Sequence, residues 1–230
     1  MMDRRHTDRE YEKELETLRE QVLLMGARVE EMISSAMRSF EQRDVALAKQ
    51  TIDIDHQINR LELEIDELCL RVLARRQPVA SDLRFIATTL KHVTDLERIG
   101  DLGVNICERV VELGDEPPLG ANDSIMRIAD AAQGMLHDAL DAFVAGDAVK
   151  AQQVMERDSI VDAYYAQLFP ELVADMTADP TLVYRATRLQ SIGKYLERIG
   201  DHATNLAEMV VFMVKGKDVR HPDAKPRGSP

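Results

Sequence analysis

Apolar residues near the start of the chain recur at alternating steps of three and four: Leu15, Leu18, Val22, Met25, Val29, Met32 and Ala36. That rhythm is the seam of a long helix packed in coiled-coil fashion. Ile54, Ile58, Leu61, Ile65, Leu68 and Val72 keep the same step, and Asp44 ahead of them supplies an N-cap for a second helix ending near Arg76. Pro78 disfavours helical geometry at Gln77, so a third helix is expected over about 81–113. The pattern then starts again. Ile125, Ile128, Ala132, Met135, Ala139 and Ala142 form a fourth seam that breaks at Gly146-Asp147. Val154, Val161, Tyr164, Leu168 and Leu172 form a fifth, and Asp179-Pro180 opens a sixth helix that runs to about Lys215. No segment carries a convincing strand pattern.

The recurrence is also one of identity. Leu-Glu-Arg-Ile-Gly-Asp occurs at Leu96 to Asp101 and again at Leu196 to Asp201, one hundred residues later. Asn105 and Asn205, and Glu108 and Glu208, follow at the same offset. With the offset widened to 103, Phe40 and Asp44 match Phe143 and Asp147, and Asp55, Ile58 and Asn59 match Asp158, Val161 and Asp162. The chain is a duplication of one supersecondary unit. The expected fold is all-α: two tandem, pseudo-symmetric three-helix bundles made of six long helices with antiparallel neighbours. Expected divisions are a first bundle over 1–113, a Gly- and Pro-rich linker over 114–122, a second bundle over 123–215 and a disordered tail over 216–230.

Composition narrows the function. At 230 residues with 45% hydrophobic content, the chain can bury a core without disulfides or structural metal. A formal net charge of −12 argues against nucleic acid as a partner, because phosphate neutralisation needs a surplus of Lys and Arg. No apolar run reaches the length of a membrane span and no signal peptide is visible, so a cytoplasmic protein is expected. Cys69 and Cys107, both in apolar helical patterns, are expected to be buried thiols.

The candidate chemistry lies on the third helix of each copy. Glu97, Asp101, Asn105, Glu108 and Glu112 fall within about 80° on a helical wheel at 100° per residue, as do Glu197, Asp201, Asn205 and Glu208. A partner row, Asp55, Asn59, Glu62 and Asp66, sits on the second helix, and Asp158 and Asp162 repeat its first two members. Two facing pairs of oxygen donors suit a hard cation such as Mg, Mn, Ca or iron better than zinc, which favours Cys and His. The alternative is a solvated acidic face tied up by Arg98, Arg198 and other basic residues. The Glu-x-x-His signature of di-iron bundles is absent, since Gly100 and Gly200 stand where the His would be. Those glycines point to close backbone approach between helices. No Gly-rich phosphate loop and no Ser-His-Asp or Cys-His arrangement is found.

Three stretches carry a family resemblance: Leu73-Ala-Arg-Arg-Gln-Pro-Val-Ala-Ser-Asp-Leu-Arg84, Asp95-Leu-Glu-Arg-Ile-Gly-Asp101 and Leu196-Glu-Arg-Ile-Gly-Asp-His-Ala203. With them the chain resembles the PhoU family of phosphate-signalling regulators over nearly its whole length. The resemblance implies a negative regulator of phosphate uptake and of the phosphate-starvation response, not an enzyme. Such a regulator acts as an adaptor between the ATPase of the phosphate-specific ABC transporter and a sensor histidine kinase. It implies a homodimer that reaches the membrane only through those partners. Some family members bind metal clusters through paired acidic motifs. Carried over by position, a first site would use Asp55, Asn59, Glu97 and Asp101, and a second Asp158, Asp162, Glu197 and Asp201, for Mg, Mn or Fe rather than Zn. Asn59 departs from the all-acid pattern, so weaker binding is expected at the first site. The rivals are a carboxylate-bridged metalloenzyme, which would need an open coordination position, and a structural helical scaffold.

Overall fold

The computed structural model describes residues 9–114 and 116–219. Its helices are α1 (Arg9–Gln42), α2 (Val45–Ile52), α3 (Asp55–Arg75), α4 (Ala80–Leu113), α5 (Asn122–Ala145), α6 (Ala148–Ala178) and α7 (Val183–Lys215), with a single 3-10 turn, Pro180–Leu182, ahead of α7. Among the described residues there is no strand. The first seam is buried as its spacing predicts: Leu18, Val22, Met25, Val29 and Met32 are wholly shielded from solvent. At 1.5 Å per residue the 34 residues of α1 span about 50 Å.

Both copies end their first helix in the same way. Asp44 and Asp147 accept hydrogen bonds from backbone N–H groups of the next helix, Leu47 for Asp44 and Val149 and Lys150 for Asp147. The residue before each cap lies in the left-handed region. Gly146 adopts it freely at φ 60°, whereas the matching Arg43, at φ 58°, does so against its β-carbon. The Arg43 guanidinium donates to the carbonyls of Gly114 and Glu116, tying this corner to the segment that joins the copies. Asp44→Ala is expected to cost about 1 kcal/mol through loss of the cap, measured as a lowered urea midpoint.

The copies then diverge. The second helix of the first copy is interrupted between α2 and α3, while its counterpart α6 is continuous, even through Pro170. At the break the hydrogen-bond ladder shortens from i−4 to i−3: Asp53 N–H donates to Gln50 O and Ile54 N–H to Thr51 O. The Thr51 hydroxyl also donates to the Leu47 carbonyl at 2.8 Å. Apolar periodicity runs straight through this point, so the six expected helices appear with one of them in two pieces.

α3, α4, α7 and α6 lie side by side in that order, and α1 and α5 pack behind them and against each other, with α2 on α1 and α4. One continuous core therefore joins the copies. The central pair is antiparallel: Arg84 Nε donates to Met213 O at 3.2 Å, Asp95 meets His202 at 2.8 Å, and Tyr184 Oη donates to Glu112 O at 3.4 Å. Residue numbers rise on α4 as they fall on α7. That register sets Ile99 opposite Ile199, both wholly buried, so the duplicated hexapeptides face each other across a pseudo-two-fold axis. Beyond α7, Gly216 caps the helix at φ 65° and Val219 packs on the core. Of the tail expected over 216–230, the remainder lies outside the described residues.

Candidate functional site

Each carboxylate row lines a groove, α3–α4 in the first copy and α6–α7 in the second. Glycine sets the depth of both. A β-carbon at Gly100 would stand 3.2 Å from Ile58 Cδ1 and 3.8 Å from Asp55 Oδ1, and one at Gly200 would stand 3.3 Å from Val161 Cγ1. Helices this close bring the acids on one rod within electrostatic reach of those on the other.

In the first groove Asp55, Asn59, Glu97 and Asp101 come together, with Glu62 and Asp66 beyond them. Burial raises the Asp55 carboxyl above the ordinary range and the Asp101 charge raises it further, against a 2.7 Å hydrogen bond donated by Asn59 Nδ2. Glu97 is raised by burial, then by Asp101, Glu62 and Asp55, with Arg98 opposing. Glu62 is raised by burial and by Asp66 and Asp101, and Asp66 by burial. Arg98 is too exposed to neutralise the set. Two oxygens, Asp55 Oδ1 and Asn59 Oδ1, are shielded from solvent and have no hydrogen-bond partner.

The second groove gathers Asp158, Asp162, Glu197 and Asp201. Burial raises Asp158, Asp162 and Glu197 add to the rise, and the Thr204 hydroxyl opposes it with a 3.1 Å hydrogen bond. Asp201 is raised by burial, Glu197, Asp158 and Asp162, and lowered by Lys194. The Lys194 ammonium donates to Glu197 Oε2. This cation and the Thr204 hydroxyl were not part of the sequence-based site. The signal for them was present, because the matched positions in the first copy are Thr94 and Val104.

Other charged residues are structural. Arg76 pairs with Glu10 and Glu14 of α1, and Arg84 reaches a carbonyl in the last turn of α7, where a cation complements the helix dipole. Glu112 leaves the acidic row to pair with Arg109 and with Arg188 of α7. Asn205 leans toward Asp95 across the α4–α7 seam at 3.4 Å. Cys69 and Cys107 are buried and unpaired with each other, and burial pushes both thiols up to about 12. His92 is wholly buried behind the grooves.

The donor set of the first groove suits a hard cation: raised carboxylates relieved by positive charge, and two orphaned oxygens on α3. As placed, no three His, Cys, Asp or Glu side chains among the described residues converge on one point. Asp101 is exposed and Glu97 half-buried.

Duplicated helical units that back two acidic grooves with a shared core define an all-α protein built from two copies of one bundle. The PhoU domain profile matches twice, over residues 22–110 and 125–210, once per copy. A phosphate-specific transport system accessory protein PhoU homolog from Pseudomonas putida is 42% identical over 94% of this chain and 85% of its own. The crystal structure of PhoU from Pseudomonas aeruginosa superposes with a TM-score of 0.87 at 42% identity, covering 90% of this chain and all of that one. That of the phosphate transport system regulatory protein PhoU from Streptococcus pneumoniae gives 0.83 at 30% identity, covering 91% and 99%. The chain belongs to the PhoU family. No helix among the described residues is long and apolar enough to cross a membrane.

Proposed function

We propose that the protein regulates phosphate transport as an accessory of the phosphate-specific uptake system. In the finer reading it is an adaptor in the cytoplasm, not an enzyme: it engages the transporter ATPase and a sensor histidine kinase and restrains both when phosphate is plentiful. The observation that carries this reading is the match of the whole folded chain, in both copies, to relatives named as accessory or regulatory proteins of phosphate transport. The paired grooves support it physically, since they offer acidic, partly desolvated surfaces on an open layer of helices. In this reading Asp55, Asn59, Glu97 and Asp101, and their counterparts Asp158, Asp162, Glu197 and Asp201, are the residues that would hold Mg, Mn or Fe. Such an ion supplies charge neutralisation between facing helices. The protein's own part is to bring α3 to α4 and α6 to α7 through Gly100 and Gly200. Self-association into a homodimer belongs to the same proposal.

Deleting the gene is expected to leave phosphate-starvation genes on in phosphate-rich medium, and tagged protein from such cells is expected to retain the transporter ATPase and the kinase. Recovery of neither partner at high or low phosphate, with normal repression in the deletion strain, would overturn the adaptor reading.

A further inference from the structure

We propose that the two grooves are unequal: the first takes up a divalent cation, whereas the second carries its own, the Lys194 ammonium. This rests on the cation-binding reading of the grooves and adds a division of labour to it.

The duplicated hexapeptides fix the matched positions without ambiguity. Three residues before Glu97 stands Thr94, whose hydroxyl turns back to the Leu90 carbonyl at 3.2 Å and brings no charge to the groove. Three residues before Glu197 stands Lys194, whose ammonium sits on Glu197 Oε2. Three residues after each hexapeptide the copies differ again: Val104 offers nothing to Asp55, while the Thr204 hydroxyl donates to Asp158 Oδ1 at 3.1 Å. The second groove thus supplies one cation and one donor that the first lacks. The difference shows in the acceptors. Asp55 Oδ1 and Asn59 Oδ1 are buried without partners in the first groove, whereas Asp158 Oδ1, on the counterpart of Asp55, accepts the Thr204 hydroxyl.

Formal charge points the same way. The first groove sets five acids, Asp55, Glu62, Asp66, Glu97 and Asp101, with no ammonium among them, whereas the second sets four acids, Asp158, Asp162, Glu197 and Asp201, beside the Lys194 ammonium, the positions that match Glu62 and Asp66 being Tyr165 and Phe169. A divalent ion entering the second groove must displace a tethered ammonium whose local concentration far exceeds that of the free ion. In the first it meets no such competitor.

The test is equilibrium dialysis of the full chain against Mn2+, with bound metal counted by elemental analysis and free Mn2+ by its paramagnetic resonance signal. Wild type is expected to hold one Mn2+ per chain. Lys194→Thr, which copies the first groove, and Lys194→Met, which keeps the stem and removes the charge, are both expected to hold two. Glu97→Gln with Asp101→Asn is expected to empty the first groove and bring wild type to none. Two ions on wild type with no change in the Lys194 variants would overturn the inequality while leaving cation binding intact. No ion on wild type or on either Lys194 variant would overturn the cation reading itself, and one ion that survives Glu97→Gln with Asp101→Asn would overturn the assignment to the first groove.

Discussion

Gly193→Val is expected to destabilise the protein by about 2–3 kcal/mol. A β-carbon at Gly193 would fall well inside contact distance of Leu168 Cδ2, with Tyr165 at 3.4 Å and Ile125 at 3.5 Å on its other sides. Leu168 is wholly buried, so it cannot swing into solvent to make room. Replacing a mid-helix glycine returns only about 0.5 kcal/mol of helix propensity, too little to offset the overpacking. The matched position of the first copy is Val93, itself wholly buried, so the same level of the fold is filled from α4 in one copy and from α6 in the other. Gly134→Ala on α5 is the control: nothing lies within 4 Å of its β-position, and the variant is expected to gain up to about 1 kcal/mol. Urea midpoints of the two variants should move in opposite directions. A Gly193→Val midpoint equal to wild type would show that α6 and α7 are less tightly packed than described.

Acid is expected to weaken the protein through His92. Its ring is wholly buried, Nδ1 lies 3.1 Å from the Thr88 carbonyl, Nε2 has no partner, and the Phe143 ring sits 4.6 Å away, centroid to centroid. Desolvation lowers its pKa to about 4 from 6.5. The folded state therefore binds the proton less readily than the unfolded chain. Stability from this group is complete above pH 6.5 and is lost as pH falls toward 4, about 2 kcal/mol of it between pH 7 and pH 5. The groove carboxylates act in the opposite sense. Asp55, Glu97, Asp158 and Asp201 have raised folded values, so protonating them relieves repulsion as pH falls through the acidic range. His92→Leu removes only the first effect. Unfolding free energies at pH 7 and pH 5 are expected to differ between wild type and variant by that 2 kcal/mol, and parallel pH profiles would refute the assignment.

Much of the fold was legible because local rules decided it. The α1 seam, the Asp44 cap, the stop at Gly146-Asp147 and the close approach at Gly100 and Gly200 all follow from periodicity or from one residue's conformational preference. The helix break at Asp53 was not, because Ile54 and Ile58 keep an apolar rhythm across a point where only the hydrogen-bond register changes. Nor was the antiparallel pairing of α4 with α7, which joins residues about a hundred apart and leaves no periodic trace. The site divides along the same line. The rows of acids could be read from spacing within each helix. Lys194 and Thr204 could be read only by comparing the copies for their differences, since a duplication draws attention to what it preserves. Glu112 and Asn205 shared the spacing of the row, but neighbours on the opposite copy decided where they point.

The axis between Ile99 and Ile199 has the symmetry of an isologous dimer, in which one surface meets itself. Residues 114–121 make that encounter intramolecular, so its strength no longer depends on protein concentration. Each half was thereby freed from having to match the other, and a lysine on one side with a threonine on the other is a difference that two identical subunits could never have held.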